Sequence, residues 1–144
     1  IMMHMRGTPQ TKQQHTDYAD IMEEIMLYFA RKVRQLRLLG VNDIILDPGF
    51  GFSKTVDQNY MLMGHLREFK DCGLPLLVGV SRKSMIYKYL GGTPADSLNG
   101  TTVLNTIALL NGTDILRVHD VKAAVEAVKL VSKTFNFQLS TFNC

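Results

Sequence analysis

The chain has 144 residues, 46% of them apolar and 20% charged, which suits one compact domain with a substantial core and argues against an intrinsically disordered chain. A net charge of +3 is too weak for a nucleic-acid surface, and the longest basic cluster, Arg82-Lys83, has no aromatic residues alternating with it. No apolar run approaches the ~18–20 residues of a membrane span, and Ile1–Met5, broken by Arg6-Gly7-Thr8-Pro9, is too short for a secretory signal. Cys72 and Cys144 lack metal or redox spacing, and with eight methionines they fit a reducing cytoplasm. The chain opens inside what already reads as a strand, so the expectation is the back part of a longer protein.

Ile1–Met5 reads as that strand, with His4 as a packed residue and not a metal ligand, followed by a loop through His15. Thr16 or Asp17 is expected to cap a helix running to about Leu39. Its apolar face is Met22, Ile25, Met26, Phe29, Val33 and Leu36. Acidic residues come early in this helix and basic ones late, complementing its dipole, and Gly40 suits the stop.

The next stretch, Ile44-Ile45-Leu46-Asp47-Pro48-Gly49-Phe50-Gly51-Phe52, is a buried strand that ends on a carboxylate. Pro48 cannot continue the ladder, and the two glycines allow close backbone approach. Asp47 there suits a flat ligand with two adjacent N–H donors; the alternative is an aspartate capping its own turn. Asp57 is expected to cap a second helix to about Cys72, with Leu62, Leu66 and Phe69 inward and Gly73 as the stop.

Leu74–Val80 reads as a third strand delivering Ser81-Arg82-Lys83-Ser84. A phosphate-binding P-loop is rejected there, because the required G-x-x-x-x-G-K-[ST] is absent: Arg82 stands where that motif has the glycine before its lysine. A short helical turn, Met85–Leu90, follows. A third helix runs from Ala95–Gly100 to near Asn111, with Val103, Ile107 and Leu110 as its face and Gly112 as its stop. Asp114–Asp120 is a fourth strand, on which Arg117 and His119, two apart, project to the same side. Asp120 is expected to cap a last helix with Val121, Ala124, Val125, Val128 and Val131 on one face.

This alternation implies an α/β fold of parallel strands and crossover helices. Without a G-x-G-x-x-G after any strand, half of a (β/α)₈ barrel is favoured over a dinucleotide fold. Asp47, Lys83, Ser84, Arg117 and His119 all fall at carboxyl ends of strands, where ligands gather in such folds. The chemistry is mixed. A carboxylate takes N–H donors of a heterocycle, Lys83 polarises it, and Phe52 stacks on it or joins the core. Arg117 and His119 hold a phosphate group. The pattern points to displacement of pyrophosphate from a ring-bearing carbon, catalysed by positioning and by stabilising the leaving charge.

Four motifs, Met3-His4-Met5-Arg6-Gly7-Thr8-Pro9, Asp47–Lys54, Gly79-Val80-Ser81-Arg82-Lys83-Ser84 and Arg117-Val118-His119-Asp120-Val121, resemble the dihydropteroate synthase family in order and spacing. Gly100-Thr101-Thr102 with Asn105 fits that family's helix before its last strand. The resemblance implies strands 5 to 8 of a pterin-binding TIM-type (β/α)₈ barrel, with residues 1–134 as its C-terminal half and 135–144 as an unassigned tail. It implies condensation of 4-aminobenzoate with 6-hydroxymethyl-7,8-dihydropterin diphosphate, giving dihydropteroate and pyrophosphate in folate biosynthesis, a step that sulfonamides block. Residues matching Met3, Asp47 and Lys83 would bind the pterin, and those matching Phe52 and Ser84 the aminobenzoate. Gly79 would be among the substrate-binding positions. Arg117 and His119 would hold the diphosphate, and with Lys83 they form the implied catalytic set.

Mg2+ is implied as a cofactor whose loop ligand lies outside this chain. Further implied are a homodimer or association with a missing N-terminal half, no nucleic-acid or membrane partner, and no activity for the isolated chain. Two rival readings are a pterin-dependent corrinoid methyltransferase and a non-catalytic half-barrel assembly module.

Overall fold

The fold, taken from a computed structural model, is described for residues 1–7 and 16–135. The reading of Thr8–His15 as loop and of 136–144 as tail, and Cys144 with it, lies outside the described residues. Among the described residues, four short strands alternate with helices: β1 (Met2–Met3), α1 (Ile21–Leu38), β2 (Leu46–Asp47), α2 (Val56–Gly64), β3 (Leu77–Val78), α3 (Ser84–Leu90), α4 (Leu98–Leu110), β4 (Ile115–Leu116) and α5 (Val121–Phe135).

All pairing among the described residues is parallel, as the alternation requires. Met2 and Met3 stand opposite Leu46 and Asp47. Leu77 and Val78 stand opposite Ile115 and Leu116. A single parallel bridge from Leu46 to Leu76 joins the two pairs, supported by Leu46 N donating to Pro75 O at 2.9 Å. The spatial order is therefore β1, β2, β3, β4. The paired stretches are shorter than the apolar runs that contain them. Single backbone bonds extend them to His4, which donates to Asp47 O, and to Arg117, which donates to Val78 O. Beyond Asp47 the chain meets Pro48, which has no N–H to offer.

The core lies between these strands and the helices. Phe29, Phe50 and Phe69 are fully buried, as are Leu46, Leu62, Leu76 and Val78. Each such large side chain contributes roughly 1.5–3 kcal/mol of burial. From α1 the core takes Ile21, Met22, Ile25 and Phe29, while Met26, Val33 and Leu36 pack against its margin.

The helix caps differ from expectation. Asp20, not Thr16 or Asp17, caps α1, with Oδ1 accepting from Met22 N at 2.9 Å and Glu23 N at 3.0 Å. Asp17 instead pairs with Arg6, which also bridges to Glu24. Thr55, not Asp57, caps α2: its hydroxyl takes Gln58 N, and Gln58 Oε1 returns to Thr55 N. The segment expected to continue to Cys72 breaks at His65 and goes on as a 3₁₀ helix, Leu66–Cys72, stopped by left-handed Gly73.

Two helix faces are also corrected. In α4, Val103 and Leu110 are exposed, and Thr101, Leu104, Asn105, Ala108 and Leu109 are buried. The helix is apolar around most of its girth, so periodicity does not select a face. Thr101 turns inward because its hydroxyl accepts from Arg82 N at 3.0 Å. In α5, Val121 and Val125 are exposed, and Ala124, Ala127 and Val131 pack inward.

Candidate active site

β2 ends on Asp47, which is 1% exposed. Its Oδ1 accepts from Gly49 N at 2.8 Å, so half of this carboxylate does cap its own turn. The other oxygen, Oδ2, lies 3.1 Å from Arg117 Nη2. That approach is close enough for an ion pair, but its angle makes no hydrogen bond, and Oδ2 remains a buried acceptor with an unused lone pair. The arrangement suits a planar ligand edge that brings its own N–H donors.

The loop after Asp47 is held from several sides. Gly49 has φ +73°, and a Cβ there would sit 2.0 Å from His4 O, so only glycine fits. Phe52 N donates to Gly49 O, and Gly51 N donates to Asn59 Oδ1 at 2.7 Å. Beneath the loop, Lys54 is 4% exposed. Its Nζ reaches Gly49 O at 3.1 Å, Phe52 O at 3.0 Å and His4 Nδ1 at 3.2 Å. These three acceptors match the three N–H groups of an ammonium. Burial foremost, with the charges of Lys83 and Arg6 and against the pull of Asp47, lowers the Lys54 pKa to about 7. Burial and the same lysine lower His4 to about 3. His4 is thus a neutral packed residue, with Tyr28 edge-on at 5.0 Å.

Lys83 stands at the start of α3 and donates to Phe50 O, with Nζ 4.7 Å from the centre of the Phe52 ring. Gly51 makes room for it, since a Cβ there would lie 3.3 Å from Lys83 Cδ. Phe50 is the core ring and Phe52 the half-buried one. Ser84, also half-buried, is the first residue of α3.

Arg117 and His119 leave β4 opposite two small residues that follow β3. A Cβ on Gly79 would lie 2.9 Å from Arg117 Nε, so the absence of a side chain there lets the guanidinium lie across the strand towards Asp47. Two residues further on, Ser81 Oγ contacts His119 Nδ1 at 3.0 Å. These successive rungs agree with the expected shared side of Arg117 and His119. Arg117 is a partner of neither Asp114, which pairs with Lys70, nor Asp120, which takes Arg82 in a two-pronged bridge at 2.9 and 2.6 Å. That bridge holds the Asp120 carboxyl below the usual carboxylate range. Met3, half-buried, lies opposite Asp47 and beside Gly49.

The described structure therefore brings Met3, Asp47, Phe52, Gly79, Lys83 and Arg117 around one mouth, with His119 tied to the same strand pair. Sequence reasoning missed Lys54, Ser81 and the Arg82–Asp120 bridge. Lys54 had a signal: a cation just before a helix start opposes the dipole and needs its own acceptors. Ser81 had one too, since Gly79/Ser81 and Arg117/His119 share a spacing on adjacent strands.

The sequence matches the family described as pterin binding enzyme over residues 1–119. The chain belongs to the pterin binding enzyme family. It is 42% identical to the dihydropteroate synthase of Escherichia coli strain K12 over 137 residues, covering 94% of this chain and 49% of that protein. The fold superposes on the Yersinia pestis dihydropteroate synthase in complex with a sulfonamide drug with a TM-score of 0.90 at 40% identity, over 94% of this chain and 50% of that one. It superposes on the Thermus thermophilus dihydropteroate synthase in complex with 4-aminobenzoate with a TM-score of 0.89 at 36% identity, covering 92% and 52%. The chain thus spans about half the length of the relatives it matches. Among the described residues, no helix is long and apolar enough to cross a membrane.

Proposed function

We propose that this chain supplies one side of a dihydropteroate synthase site, as strands 5 to 8 of a (β/α)₈ barrel. The single observation that carries this reading is the buried Asp47 Oδ2, a carboxylate acceptor left open beside Arg117 at the mouth that Lys83 also lines. The names of the matched relatives support it. Asp47 accepts the ring N–H groups of 6-hydroxymethyl-7,8-dihydropterin diphosphate, and Lys83 lies against the same ring. Met3 lines the pterin pocket, and Phe52 and Ser84 meet 4-aminobenzoate.

In the reaction, the aminobenzoate nitrogen forms a bond to the pterin methylene carbon as the carbon–oxygen bond to the diphosphate breaks. The electron pair leaves with the pyrophosphate, and the amine proton passes to solvent. Arg117, which Gly79 leaves room to move, swings from Asp47 to the diphosphate when the pterin arrives. With His119 it stabilises the leaving charge.

The side chains described here do not fit a magnesium site: no group of three His, Cys, Asp or Glu converges, and Asp47 already faces Gly49 N and a guanidinium. No step above depends on a metal. The remaining pterin contacts come from the other half of the barrel, which a partner polypeptide or a longer chain provides.

Pyrophosphate release by the 144-residue chain, alone and mixed with a separately produced first half of a synthase barrel, tests the proposal. Release only in the mixture is expected. Ordinary turnover by the chain alone overturns the half-site reading. No turnover in the mixture, together with no pyrophosphate binding, overturns the synthase reading.

A further inference from the structure

His119 lies at the exposed lip of the mouth with one ring nitrogen turned inward. Ser81 Oγ is 3.0 Å from that Nδ1 and 3.1 Å from the His119 backbone nitrogen, and Ser81 is only 5% exposed. A hydroxyl has one proton and two lone pairs. The His119 backbone N–H donates to Oγ and occupies one lone pair. Among the described residues Oγ has no other acceptor within reach, so its proton goes to Nδ1. A neutral imidazole that accepts at Nδ1 carries its own hydrogen on Nε2. When the ring is protonated, Nδ1–H donates back to the second lone pair of Oγ, and Nε2–H stays in place. Nε2 is therefore a donor in both states.

We propose that Ser81 is a positioning residue: it fixes the His119 ring so that Nε2–H always donates towards a bound diphosphate oxygen. This inference rests on the synthase reading above. Phosphate oxygens only accept, so the opposite tautomer would set one lone pair against another. The neighbouring rung, Gly79 with Arg117, works the same way on the adjacent donor: a small residue after β3 determines how a side chain after β4 is aimed.

Long-range proton–nitrogen correlation spectra of the uniformly 15N-labelled chain, at a pH where the imidazoles are neutral, report the His119 tautomer without any need for turnover. Titration with inorganic pyrophosphate reports the donor's use. Wild-type His119 is expected as the Nε2–H form. In Ser81→Ala both tautomers appear and pyrophosphate affinity falls ~10-fold, the size of one hydrogen bond to a charged group. Ser81→Thr, which keeps the hydroxyl, restores both, and it decides the matter with the wild type if the alanine variant does not fold. An Nδ1–H wild type, or a Ser81→Ala spectrum unchanged from wild type, overturns the role of Ser81 alone if pyrophosphate still binds. A correct tautomer without pyrophosphate binding overturns the synthase reading, and with it the purpose given to this donor.

Discussion

Asp47 Oδ2 lies 3.1 Å from Arg117 Nη2, and the two groups meet as charges without an aligned hydrogen bond. The carboxylate is buried and the guanidinium side chain half exposed. The pair is thus a held acceptor facing a movable cation. Asp47→Asn keeps the shape but replaces the charge, and it should weaken dihydropterin binding ~10- to 100-fold, as loss of charged hydrogen bonds does. Arg117→Ala should instead remove pyrophosphate binding and leave pterin affinity within a few-fold. Calorimetric titration of each variant with each ligand separates the two.

Lys54 and His4 make the loop under the mouth sensitive to acid. The Lys54 pKa, ordinarily 10.5, is about 7 in the fold, so between those values the unfolded chain binds more protons and stability rises with pH. His4 falls from 6.5 to about 3, so stability is lost as pH drops through that window. Both groups act in the same direction. Thermal melts from acid to mildly alkaline pH should show a rising midpoint, and Lys54→Met should flatten the upper part of the curve.

Gly49 and Gly79 should respond differently to alanine. At Gly49 the new Cβ meets a backbone carbonyl 2.0 Å away in a left-handed residue, and neither can yield. Gly49→Ala should cost well over ~1 kcal/mol, the conformational part alone being about that size, and leave little folded chain. At Gly79 the obstacle is the Arg117 side chain, which can turn away. Gly79→Ala should fold with a near-normal melt and lose pyrophosphate affinity ~10-fold. Circular dichroism melts with a binding titration distinguish the two outcomes.

The Arg82–Asp120 bridge ties the loop carrying Lys83 to the strand end carrying His119. Arg82→Met and Asp120→Asn should each reduce pyrophosphate affinity, and the double variant should be little worse than either, as expected for two halves of one contact. Asp120 is held below the ordinary carboxylate range by Arg82, so the bridge is intact above that range and is lost as pH falls through the lowered value. The difference between wild type and the double variant should therefore vanish in strong acid.

The parallel strand–helix alternation was legible because β2 and β3 are apolar runs that end abruptly on Pro48 and on the turn after Val80. The mouth was legible because Asp47, Lys83 and Arg117 all follow such runs. The helix caps were less so: Asp17 and Asp57 looked as good as Asp20 and Thr55, and only the tertiary pull of Arg6 and the reciprocal Thr55–Gln58 bonds decide between them. The inward face of α4 was hidden because its apolar residues surround the helix, while Thr101 is drawn in by a backbone N–H distant in sequence. Ser81 and Lys54 left only indirect signals, because Ser81 meets His119 from another strand end and Lys54 turns back onto its own loop and onto His4.

A titration of the 15N-labelled chain with 6-hydroxymethyl-7,8-dihydropterin diphosphate, followed through its backbone amide resonances, addresses the convergence of these groups most directly. One saturable event should move the amides of Gly49, Gly79, Lys83 and His119 together, with a single dissociation constant. Shifts confined to one of these loops, or gathered on a different part of the surface, would contradict a shared mouth.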